Sequence, residues 1–90
     1  MDNEISISVP RYNSALGVVA PCEGGEIRVS LDVNAILIRG DEAGLRDLAR
    51  WCLSLSDPDA PRGSHVHLDP GTVPLTNDSE ALIISLTKAI

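Results

Sequence analysis

The sequence predicts an α+β fold: a single, mostly antiparallel sheet of about five strands with one helix packed on one face. Three observations carry this. Apolar and polar residues alternate, at the period of two that sends successive side chains to opposite faces of a strand, in segments 4–9, 26–32, 64–69 and 81–88. Segment 41–55 instead repeats its apolar residues at helical spacing. Clusters of Gly, Pro, Asn and Asp separate these stretches.

In the first segment Ile5, Ile7 and Val9 alternate with Ser6 and Ser8, and Pro10 ends the strand or marks it as an edge. Residues 15–20 are a weaker second strand, followed by the break at Pro21-Cys22-Glu23-Gly24-Gly25. Ile27, Val29 and Leu31 then alternate with Arg28, Ser30 and Asp32. Residues 35–39 are apolar on both faces, as in a central strand. Val33-Asn34 between them predicts a hairpin, although the pair is not the Asn-Gly type that such turns prefer.

Asp41 is placed to cap the helix, because its carboxylate can accept a free backbone N–H of the first turn, and Glu42 adds negative charge where the helix dipole favours it. Leu45, Leu48, Ala49, Cys52 and either Leu53 or Leu55 form the predicted core stripe. Arg46, Asp47, Arg50 and Ser54 form the opposite face, and Trp51 falls at the flank, covering the core edge or facing a partner. Pro58 and Pro61 end the helix. The order is β-(β)-β-β-α-β-β. One helix would cover Ile5, Ile7, Val29, Ile36 or Leu37, Val66, Leu68, Leu82, Ile84 and Leu86. The other sheet face, with Ser6, Ser8, Arg28, Ser30, Arg39, His65, His67 and Ser85, is then left to water, a second subunit or a partner.

Residues 1–90 read as one domain, with no repeat or linker and no length for a separate cofactor domain. Phe is absent, so the core is aliphatic. Thirteen acidic against seven basic residues give a net charge of −6, the wrong field for nucleic acid or an anionic membrane. Cys22 and Cys52 make neither a disulfide framework nor a zinc spacing. Met1-Asp2-Asn3-Glu4 is acidic rather than an apolar leader, and no apolar run approaches the ~20 residues that span a bilayer. These readings point to a cytoplasmic protein with reduced thiols.

His65-x-His67-x-Asp69 holds both histidines of the chain. On a strand these three side chains share a face, with Ser64, Val66 and Leu68 on the other. The two imidazoles, about 7 Å apart at their Cβ atoms, have a spacing that suits chelation. Pro70 stands where the His-x-His-x-Asp-His pattern of metallo-hydrolases has its last histidine, and there is no third histidine to complete a catalytic zinc site. No nucleophile motif or phosphate loop is present.

Residues 40–45 (Gly-Asp-Glu-Ala-Gly-Leu), the Leu-rich helix through Arg50, residues 63–69 (Gly-Ser-His-Val-His-Leu-Asp) and residues 77–84 together resemble family thirty-two of the bacterial polymorphic-toxin immunity proteins. The resemblance covers residues 36–86. It implies a small α+β protein, without catalytic activity or cofactor, that binds and neutralises a cognate toxin domain. Such domains are often basic nucleases, to which an acidic inhibitor would be steered. The expected contact residues are Ser64, His65, His67 and Asp69, with Asp41, Glu42 and Asp47 at the helix start as a weaker second surface. Two alternatives stand beside this: a metal-binding protein or hydrolase using His65, His67 and Asp69, and a homodimeric structural module pairing through the open sheet face or an edge strand.

Overall fold

A computed structural model describes residues 3–87. Its elements are β1 (Ile27–Asp32), β2 (Ala35–Gly40), α1 (Glu42–Leu55), β3 (His65–Leu68) and β4 (Leu82–Ser85). The class is α+β with one helix, but the expected single five-stranded sheet is replaced by two antiparallel pairs, β1–β2 and β3–β4. The hairpin forms as the pattern requires, with Val29 opposite Ile38 and Asp32 opposite Ala35. Its turn is made without any non-glycine residue at positive φ.

The second edge of β1 explains why the pairs stay separate. It is taken by segment 74–80, which is irregular rather than a strand. Ile27 N–H donates to the Pro74 carbonyl at 2.7 Å, Thr76 N–H to that of Ile27 at 3.0 Å, and Glu80 N–H to that of Val29 at 2.7 Å. The Val29 N–H goes to the Ser79 hydroxyl instead, at 2.8 Å. Turns at 69–72, 72–75 and 76–79, each closed by a backbone hydrogen bond, break the ladder before it can run on into β4. The central strand is therefore β1, and β2, expected to be central, lies at an edge.

Residues 4–9 form no strand, and Ile5 is 90 % exposed. Both edges of β1 are occupied, and the chain after Pro10 is drawn elsewhere. Tyr12 N–H donates to the Asp57 carboxylate at 2.7 Å and Arg11 Nε to the same oxygen at 2.9 Å, which ties the segment to the end of the helix. Residues 15–20 are not a strand either. Leu16 and Gly17 N–H both donate to the Asn13 carbonyl, closing a turn with Leu16 exposed.

Ile27, Val29, Leu68 and Leu75 form the buried core, with Leu48, Trp51, Val66, Leu82 and Ile84 packed around it. Trp51 thus covers the core. The strand expected over 81–88 is present at Leu82–Ser85, and Lys88 lies outside the described residues.

The helix is rotated from the expected stripe. Gly44, Asp47, Ser54 and Leu55 are its buried residues, whereas Leu45, Ala49, Cys52 and Leu53 are exposed. Asp47 and Ser54, expected to face solvent, therefore face inward. The cause is a close backbone contact. A Cβ on Gly44 would collide with the Glu26 backbone, and one on Gly25 with the backbone of Ala43 and Gly44. Two glycines let the strand entering β1 lie directly on the first turn of α1. The helix flank that follows Gly44 is then given to hydrogen bonding: the Ser54 hydroxyl donates to the Val19 carbonyl at 2.7 Å.

Gly44→Ala sets two effects against each other. Helix propensity alone favours Ala by about 1 kcal/mol. The contact with Glu26 would force backbone apart, which typically costs about 1–3 kcal/mol. We expect net destabilisation, seen as a lower urea midpoint; an unchanged or raised midpoint would show that the two backbones are not in contact.

Candidate functional site

β3 alternates as its sequence requires. Leu68 is buried, Val66 packs on the core, and His65, His67 and Asp69 are exposed. His65 is opposite Ser85 and His67 opposite Ile83, which is also exposed. The imidazoles meet edge to face with centroids 5.0 Å apart and planes at 70°. The His65 Nδ1 lies 3.0 Å from the Gly63 carbonyl, which can only accept, so this nitrogen donates in the contact. Asp69 follows β3 at the start of the 69–72 turn, and among the described residues no three His, Cys, Asp or Glu side chains come together to hold a metal ion. Ser64 sits at the start of β3 with its hydroxyl donated to the Pro61 carbonyl at 2.7 Å, so its donor is already used.

The second expected surface separates into unlike parts. Asp41 caps α1, accepting the Gly44 N–H at 2.6 Å, and also receives the Glu26 N–H at 3.1 Å. Glu42 is exposed in the first turn. Asp47 is 0 % exposed and is no surface carboxylate. Its oxygens accept the N–H groups of Glu23 at 2.7 Å, Gly24 at 3.1 Å and Gly25 at 3.0 Å, and Arg50 Nη1 at 2.8 Å. Arg50 Nη2 reaches Glu23 at 2.7 Å, and Arg46 Nε reaches Glu23 at 2.7 Å. Burial alone would raise the Asp47 carboxyl pKa, but the backbone donors and Arg50 together hold it below the usual carboxylate range. Hydrogen bonds from Arg46 and Arg50 lower Glu23 to about 2. At the other end of the helix, Arg11 and the N–H groups of Asp59 and Tyr12 hold Asp57 well below its ordinary value. The Cys22 thiol beside this knot is pushed up, first by burial and then by the field of Asp47, so it stays protonated.

A family model described as Immunity protein 32 matches residues 35–87. The chain belongs to this family. No curated protein and no solved structure matches it. The immunity-family match runs from β2 to just beyond β4, and so includes the edge strand, the helix and the histidine face. It leaves out β1 and the loop that Asp47 holds. No helix among the described residues is long and apolar enough to cross a membrane.

Sequence reasoning missed two features of this immunity-family chain. One is the pair of buried aspartates, Asp47 and Asp57. For Asp47 a signal was present: Gly44, Asp47, Trp51 and Ser54 lie along one side of the helix, with Arg50 one turn beyond Asp47 and a Gly-Gly loop upstream to supply N–H donors. The other is the free apolar edge of the hairpin, where Ile36 is 67 % and Ile38 40 % exposed. No local signal distinguishes it, because a strand apolar on both faces reads as central.

Asp47→Ala would take the acceptor from the buried Gly25 N–H, the part-buried N–H groups of Glu23 and Gly24, and Arg50. We expect a loss of about 3–5 kcal/mol in urea denaturation, a large share of the about 5–10 kcal/mol that a domain of this size has. Glu23→Gln, at the exposed end of the same network, should change stability far less than Asp47→Ala does.

The depressed carboxyls also set an acid limit. A group with a folded pKa below its unfolded value contributes stability above the unfolded value, about 4, and loses it as pH falls toward the folded one. With Glu23 at about 2 and Asp47 and Asp57 also lowered, thermal stability should be level from pH 7 to about 5 and fall steeply between about 4.5 and 2. A flat profile through that window would mean that these carboxylates are not paired in solution.

Proposed function

We propose that this chain is a non-enzymatic immunity protein that binds a cognate toxin domain and neutralises it by covering its working surface. The observation that carries this is family membership over residues 35–87. The charge of −6 supports a basic partner, such as a nuclease domain, and disfavours direct contact with nucleic acid. Cytoplasmic action fits a partner that must be stopped inside the cell that makes it. Two exposed surfaces could meet the toxin: the face bearing His65, His67 and Asp69, and the free edge of the hairpin.

Co-expression tests the reading. The toxin domain encoded beside this chain should arrest growth when induced alone, and the intact chain should restore it and co-purify with the toxin. A toxin-specific rescue is expected, so an unrelated toxin should still kill. Failure of the chain to bind or rescue would reject the immunity role.

A further inference from the structure

We infer that β2 is a self-pairing edge: two copies of this chain join antiparallel along residues 35–39 to make a dimer. This stands apart from the immunity reading and uses no residue of the histidine face. In a two-residue hairpin the pair closing the turn is hydrogen-bonded, so Asp32–Ala35, Ser30–Leu37 and Arg28–Arg39 are the bonded pairs. The bond from Asp41 N–H to the Glu26 carbonyl at 3.1 Å continues the same alternation. The N–H and C=O groups of Ile36 and Ile38 therefore point away from β1, and they have no partner among the described residues. On β1 the outward groups of Ile27 and Val29 are all taken by segment 74–80. β2 carries none of the usual protections of an edge: no Lys, no Pro and no bulge. It is apolar on both faces, the pattern of a central strand, and pairing with its own image makes it one, in the order β1-β2-β2-β1.

The register selects the occupant. Antiparallel bonding of two β2 edges sets outward residues opposite outward residues. The alignment that keeps residues 35–39 of both copies paired puts Ile36 opposite Ile38 of the second copy, and Leu37 on the two-fold axis opposite its own image. Ile36 and Ile38 lie on the face shared with Leu31 and Val29, exposed in the single chain, and in the dimer they cover one another across the new ladder. On the reverse face the same alignment puts Ala35 opposite Arg39 of the second copy. Asp32, the hairpin partner of Ala35, is on that reverse face too. One row across the sheet thus runs Asp32, Ala35, then Arg39 of the second copy, with about 10 Å between the Cα positions of the two charged residues. Ala35 has no side chain beyond Cβ to separate them, and an extended arginine spans that gap to a carboxylate.

Both ends of this bridge are unclaimed within one chain. Arg39 is exposed, stands opposite the like charge of Arg28, and is in no ion pair among the described residues. Arg28 itself is bridged to Asp78 at 3.3 Å. Asp32 is exposed, and one of its oxygens accepts the Val33 N–H at 2.9 Å while the side chain enters no ion pair among the described residues. The two-fold makes the bridge twice, once on each side of Leu37. A strand of an unrelated protein can meet the open ladder, but it carries a cation at the place opposite Ala35 only by coincidence, whereas a second copy always does.

The test is the oligomeric state of the full chain, by light scattering and sedimentation over a range of concentrations. A dimer is expected, with hydrogen exchange at Ile36 and Ile38 slowing as concentration rises. D32R and R39D each set like charges across Ala35 at both bridges and should weaken dimerisation by roughly tenfold. D32R/R39D, which exchanges the two charges, should restore it. I36K/I38K should leave only monomer. If that variant loses its folded circular-dichroism signal, the charge variants, altered at exposed positions, decide alone. A chain that stays monomeric up to about 1 mM overturns self-pairing, and so does a dimer that these variants leave unchanged or that the charge exchange fails to restore. A monomer whose Ile36 and Ile38 amides are protected by the adjacent toxin domain assigns the edge to the toxin and also overturns it. Rescue by co-expression reads the immunity role separately, so either reading can fail without the other.

Discussion

The Asp47 carboxylate is the interaction on which the rest of the structure depends. From a fully buried position it takes three successive backbone N–H groups, from Glu23, Gly24 and Gly25. Those residues have no strand or helix of their own to satisfy them. By accepting all three, one side chain fixes where the chain enters β1 and how α1 is rotated above it. Gly25 and Gly44 make the approach possible, and Arg50 balances the charge. Asp57 does the same for Arg11 and Tyr12 at the other end of the helix. Two buried aspartates thus do for the irregular N-terminal segment what pairing does for a strand.

That arrangement has a consequence for the surface. A helix has one side to give to the core, and here part of it is given to hydrogen bonds with residues 19–25. Leu45, Ala49 and Cys52 are left exposed, with Leu45 beside Gly40 at the end of β2. The same economy holds in the sheet. β1 spends both edges on β2 and on segment 74–80, leaving β2 with one free edge. The exposed Leu45 and the open edge of β2 both follow from how the Asp47 loop and segment 74–80 use up their neighbours.

The histidine strand shows how far local pattern reaches into the candidate site. Its alternation holds residue by residue, with Val66 and Leu68 inward and both imidazoles outward. The spacing that suggested chelation delivers a pair of rings in contact, one of them with Nδ1 engaged by Gly63. What surrounds that pair was not legible in the strand, since the cross-strand neighbours Ser85 and Ile83 come from a segment some twenty residues away. At the helix start the pattern found the capping role of Asp41 but put Asp47 on the wrong side, because an aspartate in a helix is read as solvated unless its partners are known.

By itself the sequence determined the class, the hairpin, the helix with its cap, the strand at residues 65–68 and the resemblance to an immunity family. These rest on local terms: the period of apolar residues, turn chemistry and capping act between residues close in the chain. Only the tertiary structure decided which helix face is buried, which strand is central and whether residues 4–9 join a sheet. Periodicity says which residues share a face, not what that face will meet. Here the choice was made by non-local contacts, a carboxylate against a loop twenty-two to twenty-four residues earlier and a strand edge against a segment some fifty residues later. A buried group with several hydrogen-bond partners outweighs the burial of Leu45 or Ala49, because leaving those donors unpaired costs more than leaving an aliphatic side chain partly in water.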